Sequence, residues 1–340
     1  MDEVRIAVDV MGGDEEPGVV LDGIAAALAA DPALTVLAVG PEDIVGPFCE
    51  AHELAEALIA PDVITMEDDP ISAVMRKRKS SIVIGCRAVK RGNAQGFFSA
   101  GSTGAITAAG TAYVTPLKYL AEDGSKKPIR PCLANPVPNR AGGETVLADM
   151  GANPDVEPED VVRFAQMARA YAVTVCGIAE PRVGLLSNGT EDHKGSAFTQ
   201  ACFPLMAEQV PGFCGNCEGS SITDGNFDVV VCDGFAGNVA LKSIEGAAKL
   251  LMGELKGAIY GSLKGKVAGL LLKDEMGALK AKLSGDSRGG AILLGLRGVV
   301  LIGHGATSVE AVKNGTLAAA DAVRGRLVEN VAASMGTIVA

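Results

Sequence analysis

Tryptophan is absent from this sequence of 340 residues, and aromatic side chains make up only 4% of it. Glycine is frequent instead, with 43 residues, and this combination is typical of an α/β protein with many tight turns between strands and helices. Basic residues are outnumbered 30 to 41, which gives a formal net charge of −11. Because a nucleic-acid-binding protein presents a basic face, this charge argues against nucleic acid as a partner.

Targeting and membrane-spanning patterns are also missing. The chain opens MDEVRIAVDV, which is acidic and then strand-like, without the basic start of a secretory signal peptide. No uninterrupted apolar run reaches the length of a transmembrane helix. We therefore expect a cytosolic protein whose eight cysteines are reduced and mostly buried.

Common catalytic and cofactor motifs are lacking as well. No Walker A sequence occurs, and no Gly-x-Gly-x-x-Gly follows the first predicted strand, which argues against nucleotide hydrolysis and ordinary dinucleotide binding. The residues from Gly285 to Gly289 match the nucleophile-elbow pattern, but a lysine-rich helix end precedes them where a buried strand is needed. Cys214-Gly-Asn-Cys217 has the spacing of half a zinc site or of a redox pair. Because no second pair exists, we expect packing cysteines, no metal and no cofactor.

The sequence does contain a repeated unit of apolar strand, glycine turn and helix. Strands are predicted at residues 4–10, 34–39, 63–66, 96–99, 145–148, 182–186, 213–218, 228–232 and 299–302, and helices at 17–29, about 47–58, 71–79, 81–91, 157–176 and 308–331. This alternation predicts a mainly parallel sheet covered by helices. No linker divides the chain, so residues 1–340 are expected to form one α/β domain, with a proline-rich excursion at 115–143 that forms a hairpin or a lid.

Polar residues and glycines accumulate where the predicted strands end. Six such ends carry Gly with Asp, Asn, Ser, Thr or His, at 11–14, 101–104, 149–153, 187–189, 233–238 and 303–305. In an open parallel sheet these ends gather on one rim, where helix N-termini and small residues suit an anion. We expect one anion-binding crevice, although turn geometry alone explains glycine at any single end.

One of these strand ends leads into a polar loop that contains His193 and Lys194. A surface role is the default for a single lysine. In an anion crevice, however, a lysine holds phosphate or stabilises a developing oxyanion. His304 stands between two glycines at another strand end.

Seven short blocks carry a more specific signal. In order they are IAVDVMGGDEEP, SAGSTGA, DMGAN, GLLSNGTEDHKGS, CGNCEGS, VVCDGFAGNVALKSIEG and LLGLRGVVLIGHGATS. Together they resemble the phosphate acyltransferase PlsX family, over nearly the whole chain. The resemblance implies a Rossmann-like α/β/α sandwich, similar to isopropylmalate dehydrogenases and phosphotransacetylases and usually dimeric. It implies formation of acyl phosphate from acyl-[acyl carrier protein] and inorganic phosphate, which a downstream acyl-phosphate:glycerol-3-phosphate acyltransferase consumes in phospholipid synthesis.

The resemblance also implies roles for individual residues. Lys194 is implied to stabilise phosphate or the oxyanion, with Asn238 as a hydrogen-bond donor and Asp233 as an orienting group. His304 is implied to assist proton transfer or to bind phosphate. The implied substrate-binding residues are Gly12, Gly13, Ser99, Gly101, Ser102, Thr103, Gly104, Asn153 and Gly189. Because phosphate is the nucleophile, no Ser or Cys triad is required.

Two basic segments stand out against the acidic background. Arg76-Lys77-Arg78-Lys79 either receives the acidic carrier protein by complementary charge or is a solvated helix end. Residues 246–284 carry seven lysines against three acidic residues, with leucines at helical spacing, as in a helix that lies on a membrane. This amphipathic helical tip either packs in a dimer or, as the resemblance implies, makes this a peripheral membrane protein. The expected membrane contacts are Val267, Leu270, Leu271 and Leu272.

Three alternative functions are weighed against acyl-phosphate formation from acyl-[acyl carrier protein]. The nearest is a phosphotransacetylase that acts on small acyl-CoA, and a second is a non-catalytic membrane scaffold for lipid synthesis. The family-matching Lys194, Asp233, Asn238 and His304 argue against the scaffold. An NAD-dependent dehydrogenase rests on fold analogy alone and lacks the nucleotide-binding fingerprint.

Overall fold

The computed structural model describes residues 3–121, 123–284 and 289–336, so residues 285–288 of the nucleophile-elbow match lie outside the described residues. Its strands are β1 (Val4–Asp9), β2 (Leu34–Gly40), β3 (Ala55–Ile59), β4 (Gly96–Ser99), β5 (Lys118–Leu120), β6 (Lys126–Pro128), β7 (Cys132–Pro138), β8 (Glu144–Ala148), β9 (Val183–Leu186), β10 (Phe213–Cys217), β11 (Val229–Val231), β12 (Ala291–Leu294) and β13 (Val299–Ile302). Its helices are α1 (Pro17–Ala30), α2 (Glu42–Ala51), α3 (Pro70–Arg76), α4 (Ser81–Lys90), α5 (Thr103–Ala109), α6 (Pro158–Thr174), α7 (Ala197–Gln209), α8 (Ser221–Asp224), α9 (Gly234–Tyr260), α10 (Leu263–Leu271), α11 (Lys273–Ser284), α12 (Val309–Arg324) and α13 (Leu327–Ser334). A π-helical turn, Gly110–Val114, continues α5.

Helix starts coincide with local signals in the sequence. Proline occupies the start of α1, α3 and α6, where its missing N–H costs no helical hydrogen bond. Asp69 and Ser80 accept hydrogen bonds from first-turn N–H groups of α3 and α4. Ser102 and Asp233 cap α5 and α9 in the same way. These caps fix the point at which each helix leaves its loop, and the loops at the strand ends form the candidate site.

Eleven of the described strands form one sheet, in the order β10-β9-β11-β8-β7-β12-β13-β4-β1-β2-β3. Seven of its ten pairings are parallel, which confirms the predicted mainly parallel sheet. Helices α1, α6, α7, α12 and α13 cover one face, and α3, α4, α5 and the start of α9 cover the other. The architecture is therefore an α/β/α sandwich with an apolar core on each face of the sheet.

The sheet reverses its direction at the centre. β1, β2, β3, β4 and β13 run one way. β12 is antiparallel to β13 and β7, and β7 is antiparallel to β8. Three antiparallel steps invert the direction, so β8, β9, β10 and β11 run opposite to the first group. The strand ends therefore do not share one direction, but the ladders place them near one level, because Ala148 of β8 aligns through β7, β12, β13 and β4 with Val8 of β1.

The proline-rich segment 115–143 divides into two parts. β5 and β6 form a separate exposed hairpin, whereas β7 lies in the middle of the main sheet. β12 pairs only with residues 132–134 of β7. Pro136 and Pro138 lie beyond that ladder, so their missing N–H groups remove no hydrogen bond to β12. Seven residues of the predicted excursion thus form a core strand.

Two predicted boundaries are wrong. The third strand is Ala55–Ile59 rather than 63–66, because α2 already begins at Glu42. Glu42 and Asp43 in the first turn favour this early start, since acidic side chains stabilise a helix N-terminus. The single last helix predicted from the sequence is divided into α12 and α13, where Arg326 adopts a left-handed backbone with φ of 55°.

Helices α9, α10 and α11 form an extended segment. Ala236, Ala240 and Ile244 pack the start of α9 on the core, and beyond Ile244 most side chains of α9 are exposed. α10 folds back on the end of α9, where the Tyr260 hydroxyl donates to the Gly269 carbonyl at 3.4 Å. Within the described ranges, no helix combines the length and the apolar composition needed to cross a bilayer.

Candidate active site

The predicted site residues fall into two clusters. The Asp9 cluster consists of loops 9–14, 99–104 and 303–307, at the carboxyl ends of β1, β4 and β13. The Lys194 cluster consists of loops 149–153, 187–195 and 233–238, at the carboxyl ends of β8, β9 and β11. The Asp9 cluster contains Gly12, Gly13, Ser99, Gly101, Ser102, Thr103, Gly104 and His304, and the Lys194 cluster contains Asn153, Gly189, Lys194, Asp233 and Asn238. His304 thus follows a strand of the first group, and the other three predicted catalytic residues follow strands of the second group.

The Asp9 carboxylate lies at the centre of its cluster and is 2% exposed. Ser99 Oγ donates to Asp9 Oδ2 at 2.7 Å, and the Met11 N–H donates to Asp9 Oδ1 at 3.1 Å. Burial raises the pKa of the Asp9 carboxyl, and hydrogen bonds from Ser81, Ser99 and Met11 oppose that rise. Ser99 also accepts a hydrogen bond from the Gly101 N–H at 3.0 Å. Its hydroxyl therefore lies inside the wall of the cluster.

Gly12 leaves no room for a side chain. A Cβ at this position would lie 2.8 Å from Ser99 Oγ and 2.9 Å from Asp9 Oδ2. Gly13 has φ of 119°, a left-handed conformation that other residues avoid. The two glycines let the loop after β1 pack directly against the loop after β4.

The mouth of the Asp9 cluster is polar but not cationic. Thr103 and Gly104 are exposed at the start of α5, whose first turn is already capped by Ser102. His304 is exposed, and its Nδ1 accepts a hydrogen bond from the Ala306 N–H at 3.3 Å, which leaves Nε2 for other partners. Loops 9–14, 99–104 and 303–307 contain no lysine or arginine. The cluster therefore offers little positive charge to a phosphate.

Asp149 organises the Lys194 cluster, although the sequence did not single it out. Its side chain is fully buried. Five N–H groups donate to its carboxylate at 2.8–3.2 Å: the backbone N–H groups of Leu133, Gly151, Ala152 and Asn153, and Asn153 Nδ2. Burial raises the pKa of the Asp149 carboxyl, and these hydrogen bonds oppose the rise. The carboxylate ties the loop after β8 to the neighbouring strand β7.

The first turn of α9 lies against this loop. Asp233 Oδ1 accepts a hydrogen bond from the Ala236 N–H at 2.8 Å, so the carboxylate caps the helix. Gly237 packs directly on the backbone carbonyl of Asp149. Asn238 is exposed, and its side-chain amide has no hydrogen-bond partner among the residues that the structure describes. α9 therefore places an available amide beside loop 149–153.

Lys194 stands in the loop that follows β9. Its backbone N–H donates to the Glu191 carbonyl at 2.9 Å, which closes a turn. The side-chain stem passes over Gly189, where a Cβ would lie 2.8 Å from Lys194 Cγ. The ammonium group is half-buried and forms no ion pair with a described residue. An unpaired cation in such a loop is suited to an anionic ligand.

Asn216 holds this turn in place. It lies between the two cysteines of the Cys214–Cys217 motif and is 4% exposed. Its Nδ2 donates at 2.8 Å to the Glu191 carbonyl, the same carbonyl that accepts the Lys194 N–H. A register shift in the ladder between β9 and β10 precedes Asn216. Asn216 therefore connects strand β10 to the turn that carries Lys194.

We expect Asn216→Ala to loosen this turn. The loss of one buried hydrogen bond, worth about 1 kcal/mol, should raise amide hydrogen exchange in residues 191–195 by about fivefold. Hydrogen–deuterium exchange followed by mass spectrometry measures this effect. Cys214→Ser, on the exposed side of the same strand, is the matched control and should leave the exchange unchanged. Equal protection of the 191–195 peptide in both variants would contradict this role.

The two cysteines of the motif differ in environment. Cys214 is exposed, whereas Cys217 is buried in the core, and burial raises the pKa of the Cys217 thiol to about 12. Such a thiol stays protonated at neutral pH, which suits neither a metal ligand nor a redox nucleophile. In the described part of the chain, no group of three or more His, Cys, Asp or Glu side chains is placed to hold a metal ion.

Sequence reasoning did not select Asp9, Asp149 or Asn216. Asp9 and Asp149 share a signal, an aspartate directly after an apolar strand and shortly before a glycine turn. Aspartate in this position accepts hydrogen bonds from the N–H groups of its own turn. Asn216 has no such signal, because its partner Glu191 is 25 residues away in the sequence.

Comparisons with known proteins give a consistent result. A family model described as "Fatty acid synthesis protein" matches residues 4–330. A phosphate acyltransferase of Brevibacillus brevis is 39% identical over 318 residues, which cover 93% of this chain and 92% of the relative. A phosphate acyltransferase of Lacticaseibacillus casei is 40% identical over 332 residues, which cover 97% and 95%.

Solved structures resemble this fold at low sequence identity. A phosphotransacetylase from Streptococcus pyogenes superposes with a TM-score of 0.58 at 15% identity, covering 95% of this chain and 94% of the other. A branched-chain phosphotransacylase from Enterococcus faecalis gives a TM-score of 0.56 at 14% identity, covering 94% and 99%. At such identities the likeness supports the α/β/α fold and nothing finer.

Proposed function

The chain belongs to the phosphate acyltransferase family, and from this membership we propose that it forms acyl phosphate with acyl-[acyl carrier protein] as the acyl donor. The chain is an acyltransferase that uses an acyl donor and phosphate in fatty acid and phospholipid synthesis. The observation that carries this conclusion is the match over residues 4–330 together with relatives about 40% identical over more than 90% of the chain. The identity of the donor is the proposal.

The reaction balances without a protein nucleophile. An oxygen of hydrogen phosphate bonds to the thioester carbonyl carbon, and the carbon–sulfur bond of the tetrahedral intermediate then breaks. The departing thiolate takes up the proton of hydrogen phosphate, which leaves acyl phosphate and free thiol. The protein must bring two reactants together and stabilise the negative charge on the carbonyl oxygen.

We assign this chemistry to the Lys194 cluster on the ground of charge. Lys194 supplies an unpaired cation, and Asn238 supplies an unpartnered amide donor. Asp233 caps α9 and thereby orients Asn238. The Asp9 cluster lacks a lysine or arginine, and its central side chain, Asp9, is itself acidic.

For the Asp9 cluster we propose a part in binding the uncharged stretch of the donor arm. Its exposed polar side chains, Thr103 and His304, suit amide groups better than phosphate. His304 belongs to the Asp9 cluster, and the proton balance above does not need it.

Hydroxamate trapping of acyl phosphate tests the proposed donor. Wild-type protein is incubated with phosphate and either acyl-[acyl carrier protein] or the matching acyl-CoA, and the acyl hydroxamate is quantified. We expect kcat/KM with the carrier protein to exceed that with acyl-CoA by at least about tenfold, equivalent to about 1.4 kcal/mol. A preference for acyl-CoA would identify a phosphotransacetylase, and no product from either donor would favour a scaffold.

We propose that α9, α10 and α11 form a tip that touches the membrane. The supporting residues are strongly exposed: Val267 at 63%, Leu270 at 73%, Leu271 at 76% and Leu272 at 44%. Lysines lie beside these leucines, as in helices that lie on anionic lipid. A membrane position would suit delivery of acyl phosphate to an acyltransferase that acylates glycerol-3-phosphate at the bilayer.

Leu270→Glu with Leu271→Glu is expected to weaken membrane binding by about 20-fold or more, since two exposed leucines then no longer enter the lipid. Flotation with vesicles that contain anionic phospholipid measures the bound fraction. Leu120→Glu, at a leucine of the β5–β6 hairpin that is 63% exposed, is the matched control. Undiminished flotation of the double variant counts against the tip.

We also propose a homodimer. Near the first turn of α9, Phe235 is 67% exposed and Val239 is 50% exposed, beside the Lys194 cluster. A second copy would cover these apolar side chains, whose exposure costs free energy in a monomer. Sedimentation equilibrium that gave the monomer mass at micromolar concentration would contradict this proposal.

A further inference from the structure

A groove of about 290 Å³ runs along α4 beside the edge strand β3. Four basic residues line it, and we call it the α4 groove: Arg78, Lys79, Arg87 and Arg91. None of the four forms an ion pair with an acidic residue in the described ranges. In a chain with a formal net charge of −11, this is a local concentration of uncompensated positive charge.

The floor of the α4 groove is apolar. Leu58 and Ile59 of β3 and Ile84 of α4 contribute to it, and Ile59 is 42% exposed. Glu56, on the same strand, does not offset the basic rim, because Arg5 pairs with it at 3.2 Å. A floor of this kind matches an amphipathic helix that turns its apolar residues inward and its carboxylates towards the rim.

One cation of the rim is held in place. The Arg87 guanidinium lies over the Tyr113 ring, 4.5 Å from its centroid, and donates to the Arg78 carbonyl at 3.1 Å. Arg91 follows one helical turn later on the same side of α4, where residues four apart are neighbours. A guanidinium that is already ordered loses less conformational entropy when it binds a carboxylate.

The four cations of the rim come from the C-terminal ends of two helices. Arg87 and Arg91 lie in or next to the last turn of α4, where the helix dipole favours cations. Arg78 and Lys79 follow the C-terminus of α3, and Arg78 Nε donates to the Met75 carbonyl of its last turn at 3.1 Å. Two helix ends thus bring four cations to one groove, where the carboxylates of a partner can pair with them.

The groove opens beside the Asp9 cluster. Leu58 on its floor aligns through β2 with Asp9 of β1. Lys79 lies two residues before Ser81, which opposes the rise that burial causes in the pKa of the Asp9 carboxyl. Arg76 and Lys77, which the sequence grouped with Arg78 and Lys79, do not line the groove. Lys77 instead pairs with Asp68 at 2.6 Å.

We propose that the α4 groove binds an acidic amphipathic helix of the acyl carrier protein, with carboxylates on the basic rim and apolar side chains on the floor. The proposal rests on the proposed function, in which the carrier protein is the donor. It places the carrier next to the Asp9 cluster, to which we assigned the donor arm.

A binding measurement tests the groove without relying on catalysis. Labelled holo-carrier protein without an acyl group is titrated with the protein, and fluorescence anisotropy gives Kd. Arg87→Glu with Arg91→Glu should raise Kd by at least about tenfold and flatten its dependence on salt. Lys118→Glu with Lys126→Glu, in the exposed β5–β6 hairpin, carries the same charge change and should stay within about twofold of wild type.

A second groove variant shows whether a loss of binding comes from the charge change or from misfolding. Arg87 contacts Tyr113, whereas Arg78 and Lys79 are exposed, so Arg78→Glu with Lys79→Glu reverses charge without loss of that contact. If both groove variants bind the carrier with the same Kd as the wild type, the groove proposal is overturned. This holds even if the wild-type protein uses acyl-carrier protein as donor in the hydroxamate assay. Use of acyl-CoA alone, with no carrier binding, refutes the proposed donor and the groove together. If the groove variants lose binding to anionic vesicles but bind the carrier unchanged, the groove is a lipid site and the carrier proposal is overturned.

Discussion

Lys194→Ala is expected to lower kcat/KM for acyl-phosphate formation by about 10²–10³-fold, the usual loss when one group that stabilises an oxyanion is removed. The ammonium group has no ion-pair partner among the described residues. Its loss should therefore change the free energy of unfolding by only about 0.5 kcal/mol. Initial rates at varied phosphate concentration, with a urea denaturation curve for each protein, measure both quantities.

Lys242→Ala provides the matched control for this experiment. Lys242 lies on α9, four residues after Asn238, but it is exposed and pairs with Glu245 at 2.9 Å. We expect near wild-type rates from this variant. Full acyl-phosphate synthesis by a folded Lys194→Ala protein would show that Lys194 takes no part in the reaction.

Asp149→Ala is expected to cause the largest loss of stability. It removes the acceptor of five N–H groups in a site with no solvent access. Buried donors left without an acceptor cost about 1–3 kcal/mol each, so we expect a loss of at least about 4 kcal/mol. Urea denaturation followed by circular dichroism measures the change in the free energy of unfolding.

Asp149→Asn makes this prediction testable even where the alanine variant fails to fold. The asparagine keeps one acceptor oxygen, so its loss of stability should lie between wild type and Asp149→Ala. Asp155→Ala, at an exposed carboxylate shortly after the same loop, should have little effect. Similar unfolding midpoints for Asp149→Asn, Asp155→Ala and wild type would refute the structural role of the buried carboxylate.

The layers of the fold were predictable from local pattern, but the direction of the strands was not. Each strand–turn–helix unit has its own signals, such as Pro17 for α1 and Ser80 for α4. The reversal of strand direction depends on β7. The prolines of β7 predict an edge strand or a loop rather than a central strand, because proline is typical of edges and loops. A central strand tolerates Pro136 because β12 pairs only with residues 132–134. Nothing local in the sequence reveals that limited pairing.

The same limit applies to the candidate site. Residue types at strand ends identified Lys194 and Asn238, and the structure brings their loops to the same edge of the sheet. Their grouping with Gly12 and His304 assumed one direction for all strands, whereas the two groups of loops follow strands of opposite direction. The basic run from Arg76 to Lys79 shows a related error. Neighbours in sequence point to different partners, and the cations that gather around the α4 groove come from two separate segments.

The shape of α9 has a mechanical consequence. The helix is clamped to the core from Gly234 to Ile244, and its remaining part is a cantilever of about 24 Å, at about 1.5 Å per residue. Deflection of a cantilever vanishes at the clamp and grows towards its free end. Asn238 lies inside the clamp, so bending of the outer helix displaces Leu270 and Leu271 and leaves Asn238 where it is. Bending of the outer part of α9 therefore leaves the first turns of the helix in place.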